Sequence, residues 1–324
     1  MGGKFKALLM AFFLFCVVVA ASQRFYVTPA LGQDGSEAPI VVCTTTVLAS
    51  IVEDLGGDLV TVEVIASPAV CPAHYDVKPS DVEAFRRASL ILMHGFEPWV
   101  EELREASGSE APVVKIPGPW NTPEALKSKY SLVADALREN LGIDVSARLE
   151  RCLASIDETE RWLKEYAEEN GFVGTPVVCM LWQKGFISFL GFNVVATYGP
   201  PEKVSAKEYE AVIKNATEFK AVLVIDNIQS GVELGKKIAS EIGAVEVAQS
   251  NFPGIALGLN NMTSVMRWNV EKLAEALESS RSLGEVSRLK SQISTWKTAT
   301  AAASVISAAE LLIIAVLATR LRRG

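Results

Sequence analysis

Ile40-Val41-Val42-Cys43-Thr44-Thr45-Thr46-Val47-Leu48-Ala49-Ser50-Ile51-Val52-Glu53-Asp54-Leu55-Gly56-Gly57 contains one whole unit of α/β architecture. Its opening is an apolar run suited to a buried strand. Three threonines turn the chain, Val47 to Leu55 predicts a helix, and Gly56-Gly57 terminates it. The unit recurs downstream. Leu59 to Ala66 predicts a second strand, Pro79-Ser80-Asp81 starts a helix over Val82 to Ala88, Leu90 to Met93 predicts a third strand ending at His94-Gly95, and Val113 to Ile116 a fourth. Strands separated by helices of this length form a parallel sheet with helices on both faces.

Beyond this lobe the period changes. Residues 145–170 carry Leu149, Leu153, Ile156 and Leu163 with charged residues between them and neither Gly nor Pro. That predicts one helix about 39 Å long at 1.5 Å per residue. After Gly171 the alternation resumes, with strands at Pro176 to Leu181, Val194 to Thr197, Ala221 to Ile225 and Val245 to Val247, and helices at Ala206 to Asn215 and Leu234 to Ile242. The expected fold class is α/β, with two lobes that each hold a parallel sheet flanked by helices. One long backbone helix joins them, a cleft separates them, and a transmembrane helix follows at the C-terminus.

Both ends carry membrane signatures. Lys4 and Lys6 precede the apolar run from Ala7 to Ala21, as in a secretory signal or an uncleaved anchor. Thr298 to Thr319 is mostly Ala, Val, Ile and Leu and is followed by Arg320, Arg322 and Arg323, the flank of a cytoplasmic stop. Glu310 falls inside this span and calls for a neighbouring helix, a proton or a membrane partner. This charge pattern places the intervening chain outside the cell, on the cell surface. A formal net charge of -7 over 324 residues excludes a nucleic-acid surface, which needs clustered Lys and Arg.

Four of the five cysteines, Cys43, Cys71, Cys152 and Cys179, lie in the exported part, where disulfides are permitted. Their spacing does not choose among three pairings, and the alternative is four buried thiols. No Cys-x-x-Cys pair supports a zinc knuckle or redox motif. Sequons at Asn215 and Asn261 are potential glycosylation sites. The loop Cys71-Pro72-Ala73-His74-Tyr75-Asp76-Val77-Lys78-Pro79-Ser80-Asp81 holds one of only two histidines, at a strand's C-terminal end, where α/β sheets bind ligands.

Taken together, Val41 to Gly57, the loop to Pro79-Ser80-Asp81-Val82, Gly95-Phe96-Glu97-Pro98-Trp99, Pro117 to Pro123 and Trp268 to Leu277 resemble the metal-specific extracellular solute-binding proteins that serve ABC transporters for zinc and manganese. The resemblance covers roughly residues 40–278. It implies a metal held between the lobes by three imidazoles and a carboxylate, with an ABC permease and ATPase as partners. Here that set is depleted. His74 stands one residue away from the first expected position, Gly118 occupies the second, Trp182 and Gln183 the third, and Asn251 that of the late carboxylate. His94 matches a position the family rarely uses for metal and is read as structural.

The expected domain order is a signal peptide or anchor (1–23), a linker (24–39), an N-terminal lobe (40–144), the connecting helix (145–170) and a C-terminal lobe with closing helix (171–280). A juxtamembrane segment (281–297), the transmembrane helix (298–319) and a cytoplasmic tail (320–324) complete it. The expected ligand contacts are Thr45, His74, Tyr75, Asp76, Trp120, Trp182, Gln183, Asp226, Asn227 and Asn251, with His74 as the metal contact. A soft site of Cys71, His74 and Cys179 is a narrower expectation. The cargo is expected to be zinc, manganese, a chelated metal or a small polar solute, with no organic cofactor and no nucleic acid. An adhesion or receptor domain that has kept the fold is the alternative. A surface hydrolase is disfavoured, because no His-Glu-x-x-His, Gly-x-Ser-x-Gly or Gly-rich phosphate loop occurs.

Overall fold

The computed structural model describes residues 38–321. The N-terminal apolar segment, Cys16, most of the 24–39 linker and the last three residues lie outside the described residues.

The N-terminal lobe is a four-stranded sheet of β1 (Ile40–Cys43), β2 (Thr61–Val64), β3 (Leu90–Met93) and β4 (Val113–Lys115), ordered β2-β1-β3-β4. All its pairings are parallel, with Val41 opposite both Val62 and Leu90. The C-terminal lobe repeats the plan with β5 (Pro176–Met180), β6 (Asn193–Tyr198), β7 (Leu223–Asn227) and β8 (Val245–Gln249), ordered β6-β5-β7-β8 and again parallel. In both sheets the strand order reverses beside the first strand, so each has a switch point where connections leave in opposite directions. At β1/β3 and β5/β7 this opens a crevice beyond the strand C-termini.

The first helix, α1 (Thr46–Gly56), follows from Thr45 as N-cap, whose hydroxyl accepts from Leu48 N at 3.4 Å, and ends at Gly57 with φ 52°. Next, α2 (Pro79–Arg87) begins at the expected Pro79-Ser80-Asp81 start, where the Asp81 carboxylate accepts from Lys78 N at 2.7 Å and closes the first turn. Two helices that the periodicity did not mark, α3 (Val100–Ser107) and α4 (Pro123–Leu141), complete the lobe. Thr122 caps α4 and Pro123 occupies its first turn, where a missing N–H costs nothing. The expected spine is α5 (Ser146–Glu169), which links the lobes.

One apolar core runs through both lobes. Val41, Cys43, Leu90 and Leu92 meet it from the first sheet, and Val177, Cys179, Leu223 and Ile225 from the second. Ile156, Leu163 and Ala167 of α5 lie in the same cluster. The opposite faces of the sheets carry separate cores, with Val42 and Ile91 in one and Val178 and Val224 in the other. Alternate strand residues thus serve different clusters, the period-two signature of a strand covered on both faces. In the second lobe α6 (Lys184–Phe189), α7 (Ala206–Glu218) and α8 (Glu233–Ile242) flank the sheet.

The last helix differs most from expectation. Closing helix, juxtamembrane segment and apolar span are one unbroken helix, α9 (Met262–Leu321), of 60 residues. Its first part packs Val265, Val270 and Leu273 into the shared core. Its C-terminal part is exposed, and it is long and apolar enough to cross a membrane. Cys43, Cys71, Cys152 and Cys179 are free thiols. Burial pushes Cys43 up and holds Cys179 at about 12, so both act as small apolar residues. With Cys179 fully inside the core, the Cys71/His74/Cys179 grouping is not formed.

Candidate functional site

The switch point of the N-terminal sheet is bridged by two side chains. Thr45, leaving β1, and His94, leaving β3, meet at 2.9 Å between Oγ1 and Nε2. The other ring nitrogen, Nδ1, faces the Ile116 carbonyl at 3.4 Å, which can only accept. Nδ1 therefore carries the proton, and the Nε2 lone pair is taken by the Thr45 hydroxyl. The ring stacks on Trp120 with centroids 4.3 Å apart and on Phe96 at 5.5 Å. Burial drives the His94 pKa down to about 4, so the imidazole is neutral at physiological pH.

Glu97 holds this loop. Its carboxylate accepts from Thr44 Oγ1 at 2.6 Å and from the backbone N–H groups of His94, Gly95 and Phe96 at 2.9, 2.8 and 3.0 Å. Four charge-assisted bonds saturate it. Behind the loop after β4, the buried Lys129 ammonium donates to Ile116 O at 2.7 Å and to Pro117 O. Burial lowers its pKa to about 8, against the opposing pull of Glu97. Gly118 turns the chain beside this nitrogen with φ 89°, a conformation that residues with side chains rarely adopt, although an added Cβ would meet the nitrogen at an ordinary 3.8 Å.

The C-terminal wall is built from amides. Asn227 Nδ2 donates to Gln229 Oε1 at 3.1 Å, and Gln229 Nε2 donates to Ser250 Oγ at 3.1 Å. Asn269, from α9, clamps Ser250 through both its N–H at 3.0 Å and its carbonyl at 2.8 Å. Gln183 is completely buried after β5, yet neither atom of its amide has a hydrogen-bond partner. Asn251 Oδ1, Gln249 Oε1 and Thr46 Oγ1 are also buried and unpartnered. A buried amide left unpaired costs about 1–3 kcal/mol, so these groups retain capacity for a further hydrogen-bonding partner.

The two walls touch directly. Trp120 Nε1 donates to Asn251 O at 2.8 Å, Gln229 Nε2 to Pro68 O at 2.9 Å, and Asn121 Nδ2 to Trp182 O at 2.8 Å. Trp120 also packs on Phe252, with ring centroids 5.7 Å apart. Of the residues picked out from sequence, Thr45, Trp120, Gln183, Asn227 and Asn251 thus lie at one meeting of strand ends. Trp182 joins through its backbone while its side chain is half-exposed.

The remaining picks lie elsewhere. His74 ends a 3-10 turn (Pro72–His74); its side chain is exposed and forms no hydrogen bond among the described residues, and Asp76 is exposed beside it. Tyr75 is buried against Trp99 and donates to Asp81 Oδ2 at 2.9 Å, fixing the loop to α2. Asp226 shares the outward face of β7 with Val224, pressed against Gly235 of α8 and bonded to the Tyr198 hydroxyl. Burial raises its pKa to about 7. Sequence reasoning set His94 aside and passed over Glu97 and Gln229; the strand-end position that selected Thr45 applies equally to all three.

This donor set does not fit a bare divalent cation. The one imidazole at the switch point has no free lone pair, the Glu97 carboxylate is saturated, and Asp226 faces α8. Among the described residues no three of His, Cys, Asp and Glu converge as metal ligands. Amide and hydroxyl groups offer a cation only uncharged oxygen atoms, weak partners for zinc.

The backbone matches solved metal-binding proteins over 74% of the chain. A ZnuA variant lacking residues 138–173, with zinc bound, superposes with TM-score 0.63 at 20% identity and 98% coverage of that protein. The periplasmic zinc-binding protein TroA of Treponema pallidum gives 0.64 at 16% identity and 99% coverage. The manganese-bound periplasmic metal-binding protein of Candidatus Liberibacter asiaticus gives 0.64 at 15% identity and 99% coverage. At such identities the likeness establishes the two-lobed fold. The model of the family described as zinc-uptake complex component A, periplasmic, matches residues 41–276, and the chain belongs to that family.

Proposed function

We propose that this protein is the surface-anchored, extracellular receptor of an ABC transporter, closing its lobes on a solute and presenting it to the permease and ATPase. The observation that carries this reading is the pair of unpartnered, buried amides, Gln183 and Asn251, at the strand ends where the two lobes meet. Such groups orient a polar ligand that supplies its own charge balance. The cargo is therefore a metal already held in a small chelate, or a polar solute of similar size, rather than free zinc or manganese. The C-terminal part of α9 supports anchoring by its length and apolar composition.

The test is thermal unfolding of the full chain in detergent against free zinc, free manganese, copper and their citrate or amino-acid chelates. A chelate at 100 times its Kd should raise stability by about 2.7 kcal/mol, with no response to the free ions. Gln183→Leu should remove the response while the protein remains folded. A shift with free zinc that survives both Gln183→Leu and His94→Gln overturns the placement of the site. The cross-lobe bonds through Trp120, Gln229 and Asn121 favour one second reading, an adhesion or receptor domain whose lobes are locked shut. Absence of any response to metals and chelates selects it.

A further inference from the structure

We propose that α9 pairs in parallel with α9 of a second copy of this chain, through a stripe that begins just beyond the folded lobes. After Leu277, the last residue of α9 in the shared core, the helix continues with Val286, Leu289, Ile293 and Trp296 all exposed. Their spacing of three, four and three is the repeat of a two-stranded coiled coil, in which such positions fill the seam. Lys297, Thr300, Ala301 and Ser304 continue the exposed face beside Ile293 and Trp296.

Charge and the apolar span both point to a second copy as the occupant. With Val286 and Leu289 in the seam, Glu285 and Lys290 take the flanking positions, and in a parallel pair each Glu285 reaches the other chain's Lys290. The same repeat carried into the apolar span gives Thr300, Ala303 and Ser307, whose small side chains let backbones approach. It then reaches Glu310, the only ionisable residue between Thr298 and Thr319. Facing hydrocarbon, that carboxyl would be unfavourable; across a two-fold seam it meets its own counterpart as a hydrogen-bond partner. The parallel orientation rests on the anchoring proposed above.

The full chain in lipid vesicles provides the test. Ile293→Cys on the seam should give about five-fold more oxidised, disulfide-linked dimer than Ser291→Cys on the opposite side or the unaltered chain. Glu285→Lys should cut that yield by about three-fold, and adding Lys290→Glu should restore it, an exchange that only self-pairing explains. Equal yields at 293 and 291, or no restoration by the exchange, overturn the proposal and leave the stripe to the segment around residues 7–21 or to the permease. Vesicle flotation reads anchoring separately. A chain that stays in solution but still cross-links at 293 retains the pairing and loses the membrane reading; one that floats without cross-linking does the reverse.

Discussion

The two lobes share one strand order, yet their strand ends are finished in opposite ways. In the N-terminal lobe nearly every polar group is spent internally: Thr44 on Glu97, Thr45 on His94, and Lys129 on the Ile116 and Pro117 carbonyls. In the C-terminal lobe Gln183, Gln249 and Asn251 keep unpartnered amide atoms. Apart from the unpartnered Thr46 hydroxyl, the N-terminal wall is a surface of rings and saturated bonds, whereas the C-terminal wall holds several unpaired amide atoms. The same topology can thus supply stiffness on one side of a cleft and recognition on the other.

The contrast is broken most severely at Glu97. Glu97→Ala removes the acceptor for four donors and strips the opposite charge from beside the buried Lys129, so we expect a loss of about 3–5 kcal/mol in urea unfolding. Gln183→Ala, on the other wall, should cost far less despite equal burial. Comparable losses would abolish the distinction between a built wall and an open one.

Acid and base should separate the lobes next. His94, with its folded pKa near 4 against 6.5 for the free side chain, is neutral when folded and charged on unfolding, so its contribution is lost as pH falls from about 6.5 towards 4. Asp226 has the reverse sign. Its folded pKa of about 7 lies above its ordinary 3.8, so its contribution is lost as pH rises through that interval. Each slope is at most about 1.4 kcal/mol per pH unit, and over the shared window they oppose each other. Asp226→Asn should uncover the acid sensitivity of the first lobe, and His94→Gln the base sensitivity of the second. Stability measured from pH 4 to 7 checks both, and slopes of the same sign in the two variants would refute the assignment.

The smallest effect concerns the contact between the walls. Trp120→Phe keeps the stacking on His94 and Phe252 but deletes the donor to Asn251 O, and should lower stability by about 1 kcal/mol. Thermal unfolding with and without a bound chelate would show whether that bond belongs to the closed state.

Strand and helix order was legible because Val41 to Gly57 and its repeats carry the two hydrophobic periods openly. The helices α3 and α4 were not, since Val100–Ser107 and Pro123–Leu141 present polar faces between short apolar rows and carry their signal in caps such as Thr122. Position at a strand end selected Thr45, Gln183, Asn251 and Asp226 alike, but it did not tell which way a side chain turns. Asp226 and Asn227 are neighbours on β7, yet one presses on α8 and the other joins Gln229. His74 and His94 both follow predicted strands, and the packing of Trp120 and Phe96 on His94 buries the one read as structural while His74, the expected contact, stands in solvent.

The core shared through α5 has a consequence for how the protein comes apart. Each lobe keeps a smaller outer cluster of its own, but the inner faces of both sheets share one larger cluster with Ile156, Leu163 and Ala167, so loss of either lobe strips the inner face of the other. Residues 39–277 should melt as one cooperative unit, with calorimetric and van't Hoff enthalpies equal. Damage deep beneath either wall is then transmitted to both, and the cleft survives or disappears whole.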